Sequence, residues 1–209
     1  MKKFILACIS GGWLLCGACA HHPQPSSRPA DSLSRSDTAG HSWFPVADVL
    51  ESEIRQVDST PIAIRKFVIG NGHTDSGFIK PEEFNALASQ FVVPEFRNGQ
   101  FEKEFTETSF MDDATQAATF TYSTTDKDLP LFRVDVIAVP QGAVHRVKSI
   151  YIERRRTSGD SSILDKMYWQ AGRQFQVVSL ISVKGTAAPV ERQLVVSWGS
   201  NDDGDGDNE

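Results

Sequence analysis

LPLFRVDVIAVP, residues 129–140, alternates apolar with polar side chains at a period of two. In a strand with this pattern, Phe132, Val134, Val136 and Ala138 share one side and Arg133 and Asp135 take the other. The stretch decides the fold because its neighbours repeat it. ETSFMD (107–112) and AATFTYSTT (117–125) flank DDATQ, which reads as a hairpin turn. Downstream, Pro140-Gln141-Gly142 makes the next turn. RVKSIYIERRR (146–156), SILDKMYWQ (162–170), RQFQVVSLISV (173–183) and VERQLVVSW (190–198) then follow, joined by SGDS, AGR and KGTAAP. About seven short strands with mostly tight connections predict an antiparallel meander rather than βαβ units.

A sheet of that kind needs one face covered, and the segment before it carries helical patterns. In PVADVLESEIRQVD (45–58), Val46, Val49, Leu50, Ile54 and Val57 fall on one helical stripe. In KPEEFNALASQF (80–91), Pro81 suits a first helical turn, and Glu82 and Glu83 suit its positive end. Phe84, Leu87, Ala88 and Phe91 complete an apolar face there. TPIAIRKFVIGNG (60–72) pulls both ways. Thr60-Pro61 resembles a cap with a first-turn proline, whereas Ile62, Ile64, Val68 and Ile69 favour a strand. It is read here as helix. RNGQFEKEF (97–105) adds a short helical turn through Phe101 and Phe105. The expected fold is one α+β domain over residues 43–199, with N-terminal helices packed on the concave side of a curved antiparallel meander sheet.

The two ends read differently. Lys2 and Lys3 precede an apolar run over residues 4–15, and Gly17-Ala18 precedes Cys19. That is the layout of a secretory signal, and the run is too short to span a bilayer stably. Ala18-Cys19 resembles a lipobox, with Cys16 where leucine is usual, so residues 1–18 are expected to be a signal peptide and Cys19 the lipidated residue. The C-x-x-C of CGACAHH then dissolves as a metal site, because Cys8 and Cys16 leave with the signal and His21 and His22 alone do not close a tetrahedral shell. Residues 19–42, rich in Pro and Ser, read as a disordered tether. Residues 200–209 read as an acidic disordered tail rather than a calcium loop. Removing residues 1–18, which hold two lysines and no acid, moves the formal charge from −6 to −8. Nucleic acid is therefore not an expected partner. No disulfide is expected in the domain, since no cysteine lies beyond Cys19.

VDSTPIAIRKF, HTDSGFIKPEEFNALASQF, ETSFMDDATQAATFTYST and VKSIYIER resemble lipoproteins of the Bacteroidetes envelope, a likeness covering most of residues 45–199. The resemblance implies localisation to the envelope, and it brings no catalytic residues with it. Ala20 after Cys19 is not an inner-membrane retention residue by the common rule and no acidic run follows it, so the expected anchor is in the outer membrane, facing the periplasm. The layout is also similar to carrier-type half-barrels that shuttle lipoproteins or lipids, an analogy of fold alone.

Candidate chemistry is sparse. In Gly72-His73-Thr74-Asp75-Ser76, a hydrolase would use Ser76 with His73 or His145 as base and Asp75 as orienter. The plainer expectation is a turn at Asn71-Gly72 followed by a helix cap from Asp75 or Ser76. Arg154, Arg155 and Arg156 form the one basic concentration of the fold. Their faces alternate, and they are either a binding site for anionic groups or a solvated strand end. The many aromatic residues, Trp169 among them, line either a ligand cavity or a packed core. These readings give a lipid-anchored, non-enzymatic binding module for an apolar ligand or an envelope protein. Arg154, Arg155, Arg156 and Trp169 are its candidate binding residues, with no cofactor or metal expected. A small envelope hydrolase is the alternative.

Overall fold

The computed structural model describes residues 43–199 apart from 98, 143 and 187. The expected signal, the lipidated Cys19, the tether and the acidic tail all lie outside the described residues.

Helix α1 (Val46–Ser59) is followed by strands β1 (Ile64–Gly70) and β2 (His73–Ile79), then by α2 (Pro81–Ala88). Two 3₁₀ turns (Ser89–Phe91 and Pro94–Phe96) and the single-turn α3 (Phe101–Glu104) lead into the meander. Its strands are β3 (Thr106–Asp112), β4 (Ala117–Ser123), β5 (Leu131–Gln141), β6 (Val144–Ser158), β7 (Ser161–Gln170), β8 (Gln174–Val183) and β9 (Val190–Trp198). One open antiparallel sheet results, in the order β2-β1-β9-β8-β7-β6-β5-β4-β3. The fold is therefore α+β with nine strands rather than about seven.

Strand β1 corrects the helix expected over residues 60–72, and β2 is the second unexpected strand. Asn71 and Gly72 take φ of 51° and 74°, the left-handed pair that a two-residue hairpin loop requires. β1 is thereby folded back on β2, with Gly70 opposite His73. β1 also hydrogen-bonds along its whole length to β9, from Ile64–Trp198 to Gly70–Arg192. Two ladders outweigh the local cap and proline signal at Thr60-Pro61, and the β-branched residues favour the extended form. Asp75 and Ser76 consequently lie within β2 and cap nothing. The residue capping α2 is Lys80, followed by Pro81, Glu82 and Glu83 in the first turn as expected.

One register detail also departs from expectation. A bulge between Leu131 and Arg133 sends Leu131, not Phe132, to the core with Val134, Val136 and Ala138. The DDATQ turn forms as read. Asp112 accepts hydrogen bonds from Thr115 Oγ1 (2.7 Å) and the Ala114 amide (2.9 Å), and these hold its carboxyl below the usual aspartate range.

The helical segments pack on one face of the sheet. Val46, Leu50 and Val57 of α1, Phe84 and Ala88 of α2, then Phe91, Phe101 and Phe105 join the inward residues of the strands in a single core. At its centre the Trp169 ring stacks on Phe175 (5.4 Å, 17°) and meets Phe91 edge-on (5.2 Å, 76°). At its far side Tyr122 is fully buried and accepts a hydrogen bond from the Phe44 amide (3.2 Å). Burial, and after it a hydrogen bond to Glu107, raises the Tyr122 phenol above the ordinary tyrosine range. Glu53 ties α1 to the β7–β8 turn by accepting from the Gly172 amide at 2.7 Å. Glu53→Ala is expected to cost about 1 kcal/mol, read as a fall of roughly 2–4 °C in the thermal midpoint.

Candidate ligand groove

Alternation gives each strand of the helix-covered face a row of apolar side chains; β7, β8 and β9 interrupt theirs once, and β6 ends its row in Arg154 and Arg156. Arg154 follows Ile150 and Ile152 in β6. Asp165 lies between Ile163 and Met167 in β7, Ser179 between Val177 and Ile181 in β8, and Arg192 between Val190 and Leu194 in β9. The register sets Arg154 opposite Asp165, Asp165 opposite Ser179, and Ser179 opposite Arg192. A polar band therefore crosses these four strands.

Asp165 is the hub of that band and is 1% exposed. A carboxylate taken that far out of water needs charged or hydrogen-bonding partners, and it has three. Arg156 Nε donates to Oδ2 at 2.6 Å, Ser179 Oγ donates to Oδ1 at 2.6 Å, and Arg154 Nε lies 3.5 Å from Oδ2. The Arg154 contact is Coulombic, since that nitrogen has no hydrogen-bond partner. Its Nη1 instead donates to the Gln90 carbonyl at 3.1 Å, linking β6 to the turn after α2.

Beyond the edge of the helical cover, this face and α2 enclose a groove of about 260 Å³. Val68, Leu87, Val177, Ile181 and Leu194 supply apolar walls, and Lys66, Arg156 and Arg192 supply cations. Lys66 pairs with Glu83 of α2, and Arg156 with Asp165. Arg192 makes no ion pair among the described residues, and its register partner Gly70 presents no side chain beside it. Lys66, Arg154, Arg156 and Arg192 outnumber Glu83 and Asp165 by two. Asp75, beside Val68 at the open side, leaves the balance positive.

The structure distributes the expected binding residues unevenly. Arg156 lines the groove, and Arg154 braces Asp165 from within. Arg155 points to the opposite face, 5.8 Å over the Phe132 ring, beside a separate hollow of about 410 Å³ formed with residues 124–127. Alternation thus splits the triplet as expected. Trp169 is 0% exposed. Its ring belongs to the core and offers no surface to a ligand, which corrects its candidacy as a binding residue. Residues the sequence reading did not single out, Lys66, Asp165, Ser179 and Arg192, complete the site. The signal for Asp165, Ser179 and Arg192 was one polar interruption per apolar strand face, which only the register makes collinear.

The hydrolase set is not assembled. In β2, His73 and Asp75 face the groove side while Ser76 faces the opposite side of the sheet, by the same alternation. His145 is in β6, five strands from β2, which is about 24 Å at ordinary strand spacing. Among the described residues, no group of three or more His, Cys, Asp or Glu side chains is placed to hold a metal ion, and no helix is long and apolar enough to cross a membrane. No protein-family model matches the chain, and no curated protein is similar to it in sequence.

Proposed function

We propose that this chain is a lipid-anchored protein of the bacterial envelope, related to lipoproteins of the Bacteroidetes, whose domain binds an apolar ligand segment. The observation that carries the binding reading is the groove between α2 and the sheet. It has apolar walls and a polar floor in which the buried Asp165 carboxylate accepts hydrogen bonds from Ser179 and Arg156. In this reading the nine strands curve around their helical cover, as the natural twist of so many strands favours, and the groove opens at the rim of that concave side. The anchor rests on the sequence around Cys19, which would hold the domain at the periplasmic face of the outer membrane.

Two measurements test this. Full chain expressed in a lipoprotein-processing bacterium should incorporate a palmitate analogue and fractionate with membranes, and Cys19→Ala should lose both. Unlabelled, soluble native chain would refute the anchor. A neutral octyl diazirine added to the lipidated chain in nanodiscs should crosslink to peptides containing Leu87, Val177 or Leu194. Labelling spread evenly over both sheet faces would refute the binding site.

A further inference from the structure

We infer that the groove recognises an anionic head group as well as an apolar chain, so that its ligand is a carboxylate amphiphile with about eight carbons of chain held between the groove's walls. This rests on the binding-module reading and specifies its ligand.

The length follows from volume. At about 30 Å³ for a water-sized group, the groove's 260 Å³ holds about nine non-hydrogen groups of its ligand between the walls. The charge follows from how the cations are committed. Asp165 holds Arg156 through two contacts, 2.6 and 3.4 Å, and Arg154 is bound to the Gln90 carbonyl. Both are fixed by groups that are themselves buried or part of the backbone. Lys66 is neutralised by Glu83. Arg192 is different: it lies at the end of the polar band, lines the groove, and has no acidic partner among the described residues. A cation with no acidic partner, set against apolar walls, is a local centre of positive potential.

A guanidinium accepts a carboxylate through two parallel N–H···O bonds. With the head on Arg192, the chain runs along Leu194, Val177 and Leu87 toward the floor beneath α2. The half-exposed Arg156 guanidinium stands on the same face three strands away and adds attraction without giving up Asp165. A neutral alcohol of equal length would gain the apolar contacts but not the charge-assisted pair. The acidic tail of residues 200–209 has the complementary charge but no apolar side chain to fill the walls.

The test compares octyl diazirine probes ending in a carboxylate or an alcohol, on the full lipidated chain in neutral-lipid nanodiscs, read as crosslink yield on the Leu194 and Val177 peptides. The carboxylate should reach half-maximal labelling at a concentration at least tenfold below that of the alcohol. Arg192→Glu should erase the preference, as should 0.5 M salt in part. Arg192→Gln, which keeps size and polarity, should fall between. Arg192 is exposed, so its variants should unfold with the native midpoint. Equal labelling of the groove by both probes, or a preference untouched by Arg192→Glu, overturns the head-group inference and leaves the apolar site standing. Groove peptides labelled by neither probe overturn both.

Discussion

Trp169→Ala is expected to lower the free energy of unfolding by about 4 kcal/mol, the largest loss of any single truncation in this domain. The ring is fully buried, stacks on Phe175 and touches Phe91 and Trp198 at 5.2 and 5.3 Å between centroids. Phe91 comes from the turn after α2, Phe175 from β8 and Trp198 from β9, so the truncation loosens the helical cover and two strands together. The cavity cannot close by a rotamer change, because its walls are other rings held in the same cluster. Urea denaturation followed by circular dichroism measures the loss, and a value below about 1 kcal/mol would mean the core is organised elsewhere. Trp169→Phe should cost far less than its volume change suggests. The indole Nε1–H is buried without an acceptor among the described residues, and replacing the indole by phenyl removes that unpaired donor.

Asp165→Ala should destabilise by about 3 kcal/mol, the cost of breaking a buried ion pair by removing one partner. The figure is at the low end because Arg156 is half exposed and can turn to water. Arg154 cannot do so as readily, with its side chain 20% exposed and bound to the Gln90 carbonyl. Asp165→Asn, which retains oxygen and shape for Ser179, should recover about half of the loss. Ser179→Ala combined with Asp165→Ala should cost less than the two separately, by at least about 0.5 kcal/mol, since one hydrogen bond is counted in both. Strict additivity would show that the Ser179–Asp165 contact contributes nothing. Both Asp165 variants should also loosen Arg156 within the groove, and so weaken carboxylate labelling relative to alcohol labelling.

Much of the core was legible in the chain. The stripe Val46-Leu50-Val57 of α1 and the residues Phe84 and Ala88 of α2 are buried as their spacing implied. Phe101 and Phe105 flank the short turn expected there. The failure at residues 60–72 has a specific cause. Local signals at Thr60-Pro61 were weighed without the partner strand, whereas β1 is held by β9, more than 120 residues later. Phe132 failed for a similar reason, because a bulge is set by the partner strand and leaves no period of its own. The candidate site was legible only in fragments. Arg156 was visible as part of a basic triplet, but nothing in its own segment distinguishes it from Arg154 and Arg155 in role. Asp165 looked like an ordinary charge in SILDKMYWQ until its neighbours on β6 and β8 were in place.

What the sequence by itself determined is the class of structure, the inward Val134, Val136 and Ala138 of β5 and the apolar stripes of the two main helices, because periods of two and 3.6 are properties of consecutive residues. What only the tertiary structure decided is which strands adjoin and in what register. Those choices aligned Arg192, Ser179, Asp165 and Arg154 across four strands, and separated Ser76 from His73 by the thickness of the sheet. The physical reason is that a strand's second hydrogen-bonding partner is chosen by the whole fold. A slip of one residue would turn every side chain of that strand to the opposite face.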